Sequence, residues 1–319
     1  MSSSKLNPTS GDPAWLTPEN LAGLGTVELR ARLLIEGLSV GQHRSPLRGL
    51  SLEFAEHRPY TPGDDLRHLD WKAYGKSDRL YLKRHHQETN VDLMLLVDAS
   101  GSMAYRSEGA VWSKFTGAST LAVALAMLAH QQHDRSGFAT FGQDSAHELG
   151  MSSARQQWRL TARVLDQAQP SSRAPAEPSS ADDLSKAVVR LGARLRRRSI
   201  VVILSDFFDD PTAIRSALAR LKFAGHDVLL LQLIDPAERD FPFCRSTEFE
   251  GLEGEGRLPV EPAALRESYR RVFAEHLESL GRAAASLGFD HLTLATDEPL
   301  LPVLRECLSL RAGFASRRG

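Results

Sequence analysis

Three oxygen-bearing side chains stand at alternate positions in the stretch L-M-L-L-V-D-A-S-G-S-M, residues 93–103: Asp98, Ser100 and Ser102. Directly after an apolar run, that spacing admits several chemistries. A serine hydrolase needs a sharp G-x-S-x-G elbow with a histidine base; the residues around Ser100 read D-A-S-G-S, and His291 alone stands near another expected strand end. A phosphoryl-transfer enzyme with an aspartyl nucleophile wants a second aspartate two residues on, where this chain has Ser100. A hard divalent cation wants oxygen. Magnesium takes six oxygens and retains waters, so two hydroxyls and one or two carboxylates suffice, and Gly101 allows a tight backbone path. The purely structural alternative is that Ser100 and Ser102 cap the next helix while Asp98 accepts backbone N–H bonds.

A second apolar run, S-I-V-V-I-L-S-D-F-F-D-D, also ends in an acid, Asp206. Ligands of open parallel sheets sit beyond the carboxyl ends of the strands, so two strand ends can converge on one centre. From Val91 onward, short apolar runs alternate with amphipathic segments, the pattern of a parallel sheet covered on both faces. Strands are predicted at Leu93–Val97, Ser136–Phe141, Ile200–Leu204, Val228–Ile234 and His291–Leu294. Helices are predicted at Trp112–His130, Ala154–Ala168, Asp183–Arg197, Ala213–Phe223 and Ala264–Leu287. A last helix runs through L-L-P-V-L-R-E-C-L, with Leu301, Leu304 and Leu308 on one face. Residues 169–181 are rich in Pro and Ser and read as a surface loop.

Before Val91 the reading is coarser. Residues 1–14 carry few large apolar groups and read as a flexible tail. Trp15 to Ile35 reads as helical, L-S-L-E-F-A-E as a half-buried strand, Thr61–Asp65 as a turn needing Gly63, and Arg79–Arg84 as another alternating strand. The expected fold is α/β: a three-layer α/β/α domain with a mostly parallel sheet over 91–311, preceded by a small β-containing segment over 15–90 and followed by a tail at 312–319.

A formal net charge of -1 over 319 residues gives no general reason to expect nucleic acid or an anionic membrane. The longest apolar runs fall short of the roughly 20 residues that span a bilayer. No secretory signal is visible, and two cysteines without paired spacing suggest neither a disulfide framework nor a zinc module, so a cytoplasmic location is expected.

The order of an apolar strand, D-A-S-G-S-M, a long helix, S-G-F-A-T-F-G and I-L-S-D resembles von Willebrand factor type A domains, a Rossmann-like fold. The segment H-R-S-P-L-R-G-L-S-L-E-F-A-E-H-R-P-Y-T-P-G-D-D-L-R-H-L-D-W-K, residues 43–72, resembles the bacterial domain of unknown function 58 family, in which it precedes a type A domain. The resemblance implies a metal-ion-dependent adhesion site binding Mg2+ or Mn2+ through Asp98, Ser100, Ser102 and Asp206. Its second loop normally offers a threonine; here Asp182 or Ser180 takes that place. The resemblance also implies a noncatalytic adaptor or cochaperone that works with a MoxR-type AAA+ ATPase and an unknown protein client. The competing class is a metal-dependent hydrolase using Asp98 and Asp206.

Three further features read as structural. Arg58, Asp64, Asp65, Arg67 and Asp70 around the turn suit a charge network, with Trp71 as a core anchor. The basic run Arg194–Ser199 suits a helix C-terminus. His85 and His86 are adjacent, so in a strand they face opposite sides and do not share a metal.

Overall fold

The computed structural model describes residues 13–42, 57–59, 74–75, 81–83, 92–142, 147–170, 183–192, 194–252 and 256–316. The chain divides into two compact units, one made of the residues up to His43 together with Val91 onward, the other of Arg44–Asn90. In the smaller unit β1 (His57–Pro59) pairs antiparallel with β2 (Tyr81–Lys83). The expected strand at L-S-L-E-F-A-E, the turn at Gly63, the charge network through Asp70, Trp71 and the His85–His86 pair lie outside the described residues.

The larger unit is the expected three-layer α/β/α sandwich. Its sheet has the order β10-β7-β6-β3-β4-β5, built from β3 (Asp92–Asp98), β4 (Arg135–Phe141), β5 (Glu148–Ser152), β6 (Ser199–Ser205), β7 (Asp227–Ile234) and β10 (Asp290–Ala295). All neighbours run parallel except β5, which pairs antiparallel with β4. Burial on both faces explains the unbroken apolar runs. In β3, Leu93, Leu95 and Val97 enter one core while Met94 and Leu96 enter the other, as the period-two alternation of a strand requires.

The first core is closed by α2 (Val27–Gln42), α3 (Lys114–Gln131), α4 (Gln157–Gln167) and α9 (Leu300–Ser316). The second is closed by α5 (Asp183–Gly192), α6 (Pro211–Phe223) and α8 (Pro262–Ser286). Short helices α1 (Pro18–Ala22) and α7 (Pro236–Asp240) complete the set, with a hairpin of β8 (Thr247–Glu250) and β9 (Arg257–Val260). Among the described residues, no helix is long and apolar enough to cross a membrane.

Four boundaries differ from the sequence expectation. The 15–90 segment is not one piece: α1 and α2 belong to the large unit. Buried Arg30 on α2 donates to Thr120 Oγ1 at 3.3 Å and to the Leu24 carbonyl at 2.6 Å, while Asp166 on α4 accepts the Val27 N–H at 2.9 Å. On the same helix, a Cβ at Gly37 would clash with the Leu16 side chain and meet Leu301 Cδ2 of α9 at 3.6 Å, so α2 packs against α9. The helix expected to Arg197 ends at Gly192, and two arginines of the basic run turn to partners: Arg194 to Glu148 at 2.6 Å and Arg198 to Asp227 at 2.8 Å. Helix α9 continues to Ser316, past the expected boundary at 311. Strands β5, β8 and β9 were not anticipated, because half-exposed or exposed edges interrupted by Gly150 and Pro259 lack the apolar signal of the central strands.

Candidate functional site

Strand β3 ends on Asp98 opposite Phe141 of β4, and the ladder is extended by Ala99 N–H donating to the Phe141 carbonyl at 2.9 Å. The chain then tightens into a 3-10 turn at Gly101–Ala104, with Ser100 in the N-cap position. Ser100 makes no side-chain cap bond there; its Oγ lies 3.1 Å from Ser102 Oγ. Asp98 does accept backbone, through Oδ1 from Ser100 N–H at 2.9 Å. Its Oδ2 accepts the Ser205 hydroxyl at 2.5 Å, and Ser205 Oγ in turn accepts Phe207 N–H at 2.9 Å. The ends of β3 and β6 are thereby tied together.

The neighbouring loop presses close. Gly142, just past β4, has φ +80°, and a Cβ there would meet Asp98 Oδ1 at 2.8 Å and Ser100 N at 2.9 Å. Only glycine combines that backbone angle with that clearance.

Asp206 follows β6 and is buried. Its Oδ1 accepts Phe208 N–H at 3.3 Å, and its Oδ2 receives the ammonium of Lys114 at 2.7 Å. Lys114 is the first residue of α3, where a cation opposes the positive end of the helix dipole. Tertiary partners override that local preference. The lysine is fully buried, also donates to Glu238 Oε1 at 2.6 Å, and lies 5.2 Å from the centre of the Phe208 ring. Glu238 is fixed by a capping box: Asp235 N–H donates to Glu238 Oε2 at 2.8 Å, while Asp235 Oδ1 accepts Ala237 N–H at 2.8 Å. The second Asp235 oxygen accepts Ser107 N–H at 2.9 Å, which draws the segment after the 3-10 turn onto the same anchor.

Burial, assisted by the Asp206 charge, pushes the Asp98 carboxyl up to about 7, against the opposing hydrogen bonds from Ser205 and Ser100. For Lys114, burial alone would lower the pKa, but the carboxylates of Asp206 and Glu238 outweigh it and raise it, so the side chain is an ammonium ion.

Behind the site, Gln232 Nε2 donates to the Asp206 carbonyl at 3.1 Å, and its Oε1 lies 3.0 Å from His291 Nε2. Because a carboxamide oxygen only accepts, that histidine nitrogen is the donor. Burial pushes His291 down to about 4. A depressed folded-state value leaves stability intact above the unfolded histidine value of about 6.5 and removes it as the pH falls from there toward 4, because only the unfolded chain takes up the proton. Asp98, raised to about 7, acts in the opposite sense over the same range because its folded carboxyl takes up the proton first, so the His291 contribution is read by difference: the melting temperature of His291→Gln is expected to rise relative to that of wild type as the pH falls from 6.5 to 4.

The structure thus brings Asp98, Ser100, Ser102 and Asp206 to adjacent strand ends. Asp182 and Ser180 lie outside the described residues. His291 faces Gln232 and serves no serine as a base. Sequence reasoning missed Lys114, Glu238 and Asp235; the D-P-A-E box after β7 was a visible signal for the last two, and a lysine opening an otherwise apolar helix was the signal for the first.

Residues 56–279 match the family described as protein of unknown function DUF58. The chain belongs to this family. A similar protein is the uncharacterized Rv1480 of Mycobacterium tuberculosis, 26% identical over 300 residues, covering 93% of this chain and 91% of that one. A shorter uncharacterized protein of Mycobacterium avium, MAV169, is 30% identical over 138 residues, covering 43% of this chain and 80% of its own length. Among solved structures, the conserved hypothetical protein BatB from Bacteroides thetaiotaomicron matches 71% of this chain and 99% of its own at 13% identity, with a TM-score of 0.47. The SpRpn10 VWA domain matches 68% and 94% at 14% identity, with a TM-score of 0.38.

Of the donors that the type A resemblance implies, Asp206 does not fit a divalent cation. Both oxygens of Asp206 are engaged, one of them by an ammonium group. A dication sharing that carboxylate would face a buried like charge, where low dielectric magnifies repulsion.

Proposed function

We propose that this DUF58 protein is a noncatalytic protein-interaction module, a cytoplasmic adaptor or cochaperone for a MoxR-type AAA+ ATPase, that meets its protein partner at the loops carrying Ser100, Ser102 and Phe208. The ATPase is the partner that the family resemblance implies. One observation carries the reading: the acids at the strand ends are turned inward to internal partners, while Phe208, beside them, leaves 45% of its surface exposed. An exposed aromatic side chain is a component that binding surfaces favour. Phe208 is also held in place, stacked on His276 at 5.4 Å and near Phe273 at 5.8 Å, so little ordering is needed on contact. Balanced charge argues against nucleic acid as the partner.

The competing reading, a metal-dependent hydrolase using Asp98 and Asp206, requires carboxylates that can activate water. Asp206 is instead paired with an ammonium, and Asp98 is bridged to Ser205. Interferometry against the purified ATPase tests the proposal. Phe208→Ala and Ser100→Ala are each expected to weaken binding by roughly tenfold, about 1–2 kcal/mol, with circular dichroism unchanged. Unaltered affinity in both variants would move the contact elsewhere. Turnover of phosphoesters or esters that disappears in Asp98→Ala would favour the enzyme.

A further inference from the structure

The cation of this loop cluster is already part of the chain. We propose that Lys114 is a built-in substitute for the metal of an adhesion site: its ammonium matches the charge of Asp206, so that the cluster of Asp98, Ser100, Ser102 and Asp206 takes up no divalent cation. The inference concerns the charge of the cluster and stands whether or not a partner docks there.

Four observations support it. Lys114 is fully buried, which a lysine tolerates only when its charge is matched. Its ammonium touches Asp206, the acid that the resemblance assigns to the metal, at 2.7 Å. The second contact, Glu238 at 2.6 Å, comes from a short helix whose capping box holds that carboxylate in place, so the cradle for the ammonium is built and not incidental. Finally, α3 begins on this residue although a cation is disfavoured in that position, which means that the demand for it comes from the site. A lysine carries one charge where magnesium carries two, and it cannot be exchanged or chelated. Contacts made at this edge are therefore permanent with respect to ion supply, and an incoming carboxylate has no open metal position to fill.

Titration calorimetry with MnCl2 and thermal melts with MgCl2 or EDTA test the proposal on the intact chain. Wild type is expected to give no saturable heat and the same melting temperature in all three media. Lys114→Met removes the ammonium while keeping a comparable apolar stem; it is expected to give saturable Mn2+ heat where wild type gives none, as follows from deleting a like charge at close range, and to melt higher with Mn2+ than without. Saturable Mn2+ binding by wild type that vanishes in Asp98→Ala would overturn the proposal. So would a folded Lys114→Met chain that remains indifferent to Mn2+. Should that variant not fold, the wild-type titration, with Asp98→Ala as its control, decides alone.

Discussion

Lys114→Met is expected to lower the stability of the protein by about 3–5 kcal/mol, the usual consequence of deleting one partner of a buried ion pair. The loss arises less from the missing contacts than from what remains: Asp206 and Glu238 would face each other's charge with no cation between them. Denaturant unfolding of Lys114→Met/Glu238→Gln and Lys114→Met/Asp206→Asn would separate the terms. Each second substitution removes one stranded carboxylate, so each double variant should be more stable than Lys114→Met itself. If the doubles are less stable than the single by the full cost of the second change, the three side chains do not act as one unit.

Gly142→Ala carries the second large effect, about 2–4 kcal/mol. It combines the strain of a non-glycine residue at φ +80° with a Cβ forced to 2.8 Å from Asp98 Oδ1 and 2.9 Å from Ser100 N. Gly225 supplies the control. Its φ is +79°, yet nothing lies within 4 Å of the added carbon, so Gly225→Ala isolates the backbone term at about 1 kcal/mol. Thermal melts of the two variants side by side would show the difference, which measures how tightly the β4 loop is packed on the aspartate. Equal losses would mean that Asp98 and Ser100 move aside at no cost.

The central sheet was legible because strands β3, β6 and β7 are buried on both faces and leave continuous apolar runs in the sequence. The convergence of Asp98 and Asp206 was legible for the same reason, since each acid marks the residue where such a run stops. What escaped notice was local weakness or distant partnership. Strand β5 lies on the sheet edge, half-exposed throughout most of its length, and β8 alternates exposed charge with half-buried residues, so neither stands out from a loop. Lys114 looked like one polar residue in a helix because its partners lie 92 and 124 residues further along the chain. The pairing of an early lysine with two late acids leaves no trace in any window of sequence. The division at His43 was hidden in the same way: helix α2 reads as an ordinary amphipathic element, and only Arg30, Asp166 and the α9 leucines decide which unit owns it.

That ownership bears on how the protein is made. The apolar face of α2 emerges from the ribosome early, but Leu301 and its neighbours on α9, against which it packs, are added roughly 260 residues later, an interval on the order of tens of seconds at ordinary translation speeds. Until Leu301 and its neighbours have emerged, the sheet grows with one of its covering helices still waiting for a neighbour. The nascent chain presents an unclosed hydrophobic seam along α2 over that interval, and the first core closes only when two helices far apart in sequence meet.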